Sequence, residues 1–260
     1  MTSSARLLLA MSLLVSTARA EIVTRTVEYR AGDAALEGLL IQDSAGPAQK
    51  PGVLVVHDWM GVGPFAQGRA EQLAKLGYVA FVADVYGKGV RPTSAKEAGE
   101  QAGKYKKDRP LLRARMLAAL AELRAQPNVI PGKVAAIGYC FGGTAALELV
   151  RAGAALSGVV SFHGGLDSPT PADAKAIKAK VLALHGADDP YVPQAEVLAF
   201  EAEMRAGGVD WTLVKYSGAV HAFTNPGAGS DNSKGAAYNA TADRRSWQAM
   251  RDFFDEVLKP

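Results

Sequence analysis

Two kinds of apolar run alternate along this chain, and the alternation predicts its fold. Short unbroken runs occur at 53–56 ("VLVV"), 78–83 ("YVAFVA"), 134–137 ("VAAI"), 156–162 ("LSGVVSF") and 180–184 ("KVLAL"). None shows the polar alternation of a strand with one wet face, so each reads as a strand buried on both faces of a parallel sheet. Longer segments at 65–76, 94–125, 143–152 and 194–206 lie between or after them and read as helices. The second should break near Asp108-Arg109-Pro110, because proline has no N–H and its ring clashes within a helix. A last strand ("WTLVKY", 211–216) precedes a final helix expected over 234–258. Ahead of all this, 22–29 and 36–41 read as an antiparallel hairpin at the sheet edge, joined by "RAGDAA". Strand–helix alternation implies right-handed crossovers and an α/β class fold: a mostly parallel, doubly wound sheet with helices on both faces. In such sheets ligands bind beyond the carboxyl ends of the strands, so the residues following each strand carry the functional reading.

The amino-terminal segment stands outside that pattern. "MTSSARLLLAMSLLVSTARA" has Arg6, an apolar stretch over 7–15 and Ala18-Arg19-Ala20 before Glu21. This is the arrangement of a cleaved export signal, and the stretch is too short to span a bilayer. Residues 1–20 are therefore expected to be a signal peptide, 21–260 a single domain, and the protein periplasmic or secreted. The formal charge of the 260 residues is +3, and without Arg6 and Arg19 the balance is 27 basic against 26 acidic side chains. A near-neutral chain argues against nucleic acid or an anionic membrane as partner. The chain has one cysteine, Cys140, so an intrachain disulfide is excluded.

Four strand ends bear suggestive chemistry: "HDWMGVG" from His57, "GYCFGG" around Cys140, "HGADDPYVP" from His185, and "VHAFTNPG" around His221. G-x-C-x-G at 138–142 follows a strand and opens a helix, which is the position of the nucleophile elbow of hydrolases, with cysteine where serine usually stands. The order along the chain is then Cys140, Asp189, His221: nucleophile, acid, histidine, as in α/β-hydrolases. Asp188 competes with Asp189, and the G-x-x-D-x-x-V-P spacing selects Asp189 to orient His221, leaving Asp188 to cap a turn. His57, His163 and His185 read as strand-end histidines satisfying backbone groups. No histidine pair has ligand spacing and the sole thiol is committed, so neither a metal nor a cofactor is expected.

A free thiol has a pKa near ~8.5 and needs a base or cation to act at neutral pH. His221 can take its proton, and the thiolate can then attack a carbonyl to form a thioester. Two N–H donors for the oxyanion are expected from Phe141, at the helix start, and Trp59.

"GYCFGG", "HDWMG", "ADVYGKG", "HGADDPYVP" and "HAFTNPG" together resemble the dienelactone hydrolase (carboxymethylenebutenolidase) family, over nearly all of 22–258. The resemblance implies a compact, monomeric α/β-hydrolase without a large lid, acting on an enol-lactone or small ester, with its triad on Cys140, Asp189 and His221. The family's glutamate beside the nucleophile, which sets the thiol's resting state, falls on Asp58, one methylene shorter. Its two substrate-binding arginines fall on Lys88, a cation without a bidentate fork, and on the uncharged Asn225. Tyr86 and Trp59 are expected as pocket walls. Two other readings stay open: a broader carboxylesterase acting on simple esters with the same triad, and a non-catalytic binding protein on the same fold.

Overall fold

The computed structural model describes residues 21–259, so the expected signal segment lies outside the described residues. Eight strands form one sheet in the order β1-β2-β4-β3-β5-β6-β7-β8. β1 (Ile22–Ala31) and β2 (Ala34–Asp43) form the antiparallel hairpin, turning at Gly32, whose φ of 58° is left-handed. β2 joins β4 (Val79–Ala83) antiparallel, and from there β3 (Lys50–Val56), β5 (Val129–Tyr139), β6 (Gly158–Phe162), β7 (Lys180–Gly186) and β8 (Trp211–Tyr216) run parallel.

The unbroken apolar runs are explained by period-two alternation between two buried layers. Leu54, Val56, Phe81 and Ala136 face one layer, covered by Leu112 and Met116 of α3 (Arg109–Arg124), Leu147 of α4 (Phe141–Arg151) and Phe200 of α5 (Gln194–Gly207). Val53, Val55 and Ile137 face the other, covered by Leu73 of α1 (Pro64–Lys75) and Phe254 of α6 (Ala240–Leu258). Each fully buried side chain of this size contributes about 1.5–3 kcal/mol relative to exposure. α2 (Ala95–Lys107) ends where expected: Asp108 closes it and caps α3, accepting the Leu111 N–H at 2.9 Å, with Pro110 in the first turn.

The last helix departs from the sequence expectation. It starts at Ala240, where the Asn239 side chain accepts the Ala242 N–H at 3.0 Å, and not at 234. Residues 235–239 form no helix. Gly235 turns left-handed with φ 79°, and Ala236 forms a bridge to His221. Tertiary pairing overrides helical propensity there.

Candidate active site

Cys140 stands between β5 and α4 with φ 55° and ψ −118°, a strained conformation for a residue with a Cβ. The flanking glycines are required by close approach. A Cβ at Gly138 would lie 1.9 Å from the Gly142 carbonyl oxygen, and one at Gly142 would lie 2.4 Å from that of Val56. The turn lifts Cys140 into a cavity of about 590 Å³. Two other non-glycine residues with left-handed φ, His163 (40°) and Ala222 (56°), line the same cavity.

The structure brings Cys140, His221 and Asp189 together. His221 Nε2 lies 3.0 Å from Cys140 Sγ, and its Nδ1 lies 2.8 Å from Asp189 Oδ2. The buried Asp189 carboxylate accepts from Nδ1–H, which leaves Nε2 to meet the sulfur. Its other oxygen accepts the Tyr191 N–H at 2.8 Å. Asp188 instead accepts the Gly218 N–H at 3.0 Å, capping a turn. Burial alone would depress the His221 pKa, but the charges of Cys140 and Asp189 outweigh it and hold the imidazole up at about 10. The His221 backbone is pinned on both sides: its N–H donates to the Gly235 carbonyl (3.1 Å), and its carbonyl accepts the Ala237 N–H (3.0 Å). A further bond, Asn239 N–H to Phe223 O at 3.0 Å, closes the segment that follows the histidine.

Among the described residues, the N–H groups of Phe141 and Trp59 have no acceptor. Phe141 opens α4, where the helix dipole also favours negative charge. The Trp59 loop is tied down by the Tyr86 hydroxyl, which donates to the Trp59 carbonyl at 3.0 Å. Tyr86 is itself buried behind the cavity, against Tyr105 and Phe141, and does not line it. Asp58 does line it; its Oδ1 accepts the Met60 N–H at 2.8 Å, and burial pushes its carboxyl above the usual range.

The two expected anion-binding positions fare differently. Asn225 lines the cavity, with its side-chain oxygen accepting the Gly227 N–H at 2.8 Å. Lys88 is not brought to the cavity. After the Gly87 turn (φ 131°) its N–H bonds to the Ala35 carbonyl at 3.0 Å, which carries it to the hairpin, where its ammonium pairs with Glu28. No Lys or Arg among the described residues lines the cavity. Its mouth is apolar instead, with the partly exposed Trp59, Met60 and Tyr191 beside Phe65.

Of the remaining histidines, His57 is a backbone clamp. Its Nδ1 donates to the Asp58 carbonyl (2.6 Å), its Nε2 accepts from Val85 N–H (3.3 Å), and burial lowers its pKa. His185 is buried and likewise pushed down by burial. His163 does more than the sequence reading gave it. It lines the cavity, its Nδ1 meets the Cys140 N–H at 3.2 Å, and its ring meets that of His221 edge-on at 5.3 Å. Tyr191, which meets His221 edge-on at 5.4 Å, was also missed. Its place two residues after Asp189 was the available signal. Among the described residues no group of three or more His, Cys, Asp or Glu could hold a metal ion, and no helix is long and apolar enough to cross a membrane.

Comparison with known proteins gives the family and the fold. The dienelactone hydrolase family model matches residues 36–258. A Synechocystis protein assigned as a carboxymethylenebutenolidase is 29% identical over 224 residues, covering 81% of this chain and 88% of its own. The solved structure m3DLH is 40% identical with a TM-score of 0.88, covering 92% of this chain and 99% of its own. A dienelactone hydrolase-like promiscuous phosphotriesterase from metagenomic libraries is 41% identical with a TM-score of 0.86, covering 91% and 98%.

Proposed function

The chain belongs to the dienelactone hydrolase family and is an ester- or lactone-cleaving hydrolase, and from that premise we propose that it acts on uncharged esters and lactones through Cys140, His221 and Asp189. The observation that carries the reading is a thiol 3.0 Å from an imidazole and that imidazole 2.8 Å from a buried carboxylate, in a cavity lined by no lysine or arginine among the described residues.

His221 Nε2 takes the thiol proton, and the charges that hold the imidazole up at about 10 favour its protonated form while the sulfur attacks. The sulfur attacks the substrate carbonyl carbon, a C–S bond forms, and the carbonyl π electrons move to oxygen. The N–H groups of Phe141 and Trp59 receive that oxyanion. Collapse breaks the C–O bond, and the leaving alkoxide or enolate takes the proton from His221 Nε2. Once sulfur is acylated, the thiolate charge that held the imidazole up is gone. His221 is then a base able to take a proton from water. The hydroxide so formed attacks the thioester, the C–S bond breaks, and thiolate and imidazolium re-form.

Asp58 takes the role of the family glutamate, the group facing the thiol in the resting state. Its carboxyl also disfavours a second carboxylate in the cavity, and Lys88 is occupied elsewhere, so a substrate acid meets no lysine or arginine there. This favours neutral esters and lactones over an acidic dienelactone. Residues 1–20 direct export, and sequencing of the amino terminus in the host's extracytoplasmic fraction should begin at Glu21.

The test of the substrate reading is turnover of a neutral aryl acetate, a neutral enol-lactone and a carboxylated dienelactone, beside Cys140→Ala. The neutral substrates should show the lower KM, and Cys140→Ala should abolish turnover of all three. A strong preference for the carboxylated lactone would overturn the charge argument, and activity surviving in Cys140→Ala would overturn the triad. An aryl dialkyl phosphate, the class named for the metagenomic neighbour, is a useful fourth arm because it too is uncharged.

A further inference from the structure

His163 is the buried histidine that the mechanism above leaves without work. It follows β6 at a left-handed φ of 40°, where a glycine or asparagine would be less strained. Its own N–H donates to the Leu184 carbonyl at 2.8 Å. Nδ1 faces the Cys140 N–H, a group that can only donate, so Nδ1 must be the unprotonated nitrogen. The proton therefore sits on Nε2 and is donated to Thr224 Oγ1 at 2.7 Å. Thr224 lies three residues beyond His221. It is fully buried, and its carbonyl accepts from Arg69, which is paired in turn with Asp243.

At its Cys140 end a need to satisfy buried groups does not explain this ring. The Cys140 N–H already has the Phe162 carbonyl at 3.0 Å, so His163 supplies a second acceptor to an amide that has one. What the ring adds is a rigid connection between the loop of the nucleophile and the loop of the base. One end holds the nucleophile's amide, the other holds the loop carrying the base, and the ring edge packs against His221.

We propose that His163 is a positioning residue for hydrolysis, tying the Cys140 amide to the Thr224 hydroxyl so that sulfur and His221 keep their working separation. Burial and the neighbouring His221 hold its own pKa well below the usual histidine range, so the ring stays neutral and Nδ1 remains an acceptor beside a protonated His221. The inference rests on the proposed Cys140–His221 pair and assigns His163 no contact with substrate.

The experiment compares His163→Leu, His163→Asn and Thr224→Val with the unaltered protein. Four quantities are read: kcat and KM on a neutral aryl acetate, the rate of Cys140 alkylation by iodoacetamide, and Tm. His163→Leu should lower kcat by about 100-fold with KM unchanged, the scale of a reacting pair displaced by roughly an ångström. Asparagine tolerates a left-handed φ and places Oδ1 where Nδ1 stood but does not reach Thr224, so His163→Asn should recover only the Cys140 end of the tie and leave kcat about tenfold below native. Thr224→Val keeps the carbonyl and the shape but removes the acceptor of Nε2–H, and should lower kcat by about tenfold. Alkylation should slow in the same order.

A folded His163→Leu protein with native kcat would overturn the proposal, as would a loss appearing wholly in KM or shared equally by His163→Asn. If His163→Leu does not fold, Asn and Val carry the test, and native kcat in both defeats it. The triad reading fails separately, when Cys140→Ala retains activity. Alkylation still decides this inference in that case, because an unchanged rate in every folded variant sinks it.

Discussion

The two ends of α4 are both buried and both polar, yet they are built to opposite purposes. At its first turn Cys140 is strained, the Phe141 N–H has no acceptor, and a cavity opens to the sulfur. At its last turn Arg151 is fully buried in ordinary helical backbone, and each guanidinium nitrogen is engaged. Nε and Nη2 reach Glu203 at 2.9 and 2.7 Å, Nη1 reaches Glu148 and the Asp167 carbonyl at 3.1 Å, and Nη2 also reaches the Leu166 carbonyl at 3.0 Å. Arg113 Nε adds a second cation to Glu148 at 2.7 Å. Buried charge alone therefore does not mark a site in this molecule. Strain, an unspent donor and open volume beside the charge do.

Substitutions at the two ends should separate activity from stability. Cys140→Ala should reduce ester turnover by about 10⁴-fold or more while leaving Tm near that of the unaltered protein. Asp189→Asn, which removes the carboxylate that sets the His221 tautomer, should cost about 10³–10⁴-fold in kcat. At the other end, Arg151→Met leaves Glu203 buried without its cation and should destabilise by about 3–5 kcal/mol. That corresponds to a fall in Tm of about 6–20 °C for a chain of this size. Turnover per folded molecule should be unchanged, and a selective loss of kcat there would erase the distinction between the two ends.

Smaller effects sharpen the contrast. With His221 raised to about 10, its proton is present through neutral pH and lost only as pH rises through that value. The alkaline limb of kcat/KM should accordingly lie near pH 10, and a limb near ~6.5, the unperturbed histidine value, would contradict a His221 held up by its neighbours. Asp58 has its pKa raised by burial, so ionising it costs stability once pH exceeds its unfolded value of 3.8. Asp58→Asn keeps the acceptor for Met60 N–H and should raise Tm at pH 7, with the gain vanishing below that value. A lower Tm at neutral pH would contradict the burial argument.

Most of the architecture was legible in the chain because it is written locally. Unbroken apolar runs mark strands buried on two faces, and Asp108-Arg109-Pro110 marks a helix boundary whatever surrounds it. The elbow and the order Cys140, Asp189, His221 were legible too, since each residue follows a strand that the pattern already located. What escaped depends on pairings distant in sequence. The bridge made by the His163 ring ends on Thr224, 61 residues on. Lys88 was placed by motif position, yet the hydrogen bond from its backbone N–H to the Ala35 carbonyl carries it to the hairpin. Residues 235–239 stayed out of the last helix because His221 offered a backbone to pair with.

That pairing also makes part of the molecule replaceable. The bonds from Gly235 and Ala237 to His221, and from Asn239 to Phe223, seal the base of an excursion whose outer portion, 225–234, supplies Asn225, Gly227 and Ala228 to the cavity wall. The histidine's position is fixed at the root of the excursion and not by its path. A cassette of different length or composition grafted between Thr224 and Gly235 can therefore redraw the substrate-facing wall while the base stays in register. In an enzyme whose chemistry is set by strained, over-determined residues, this is where new specificities can be installed with the least disturbance.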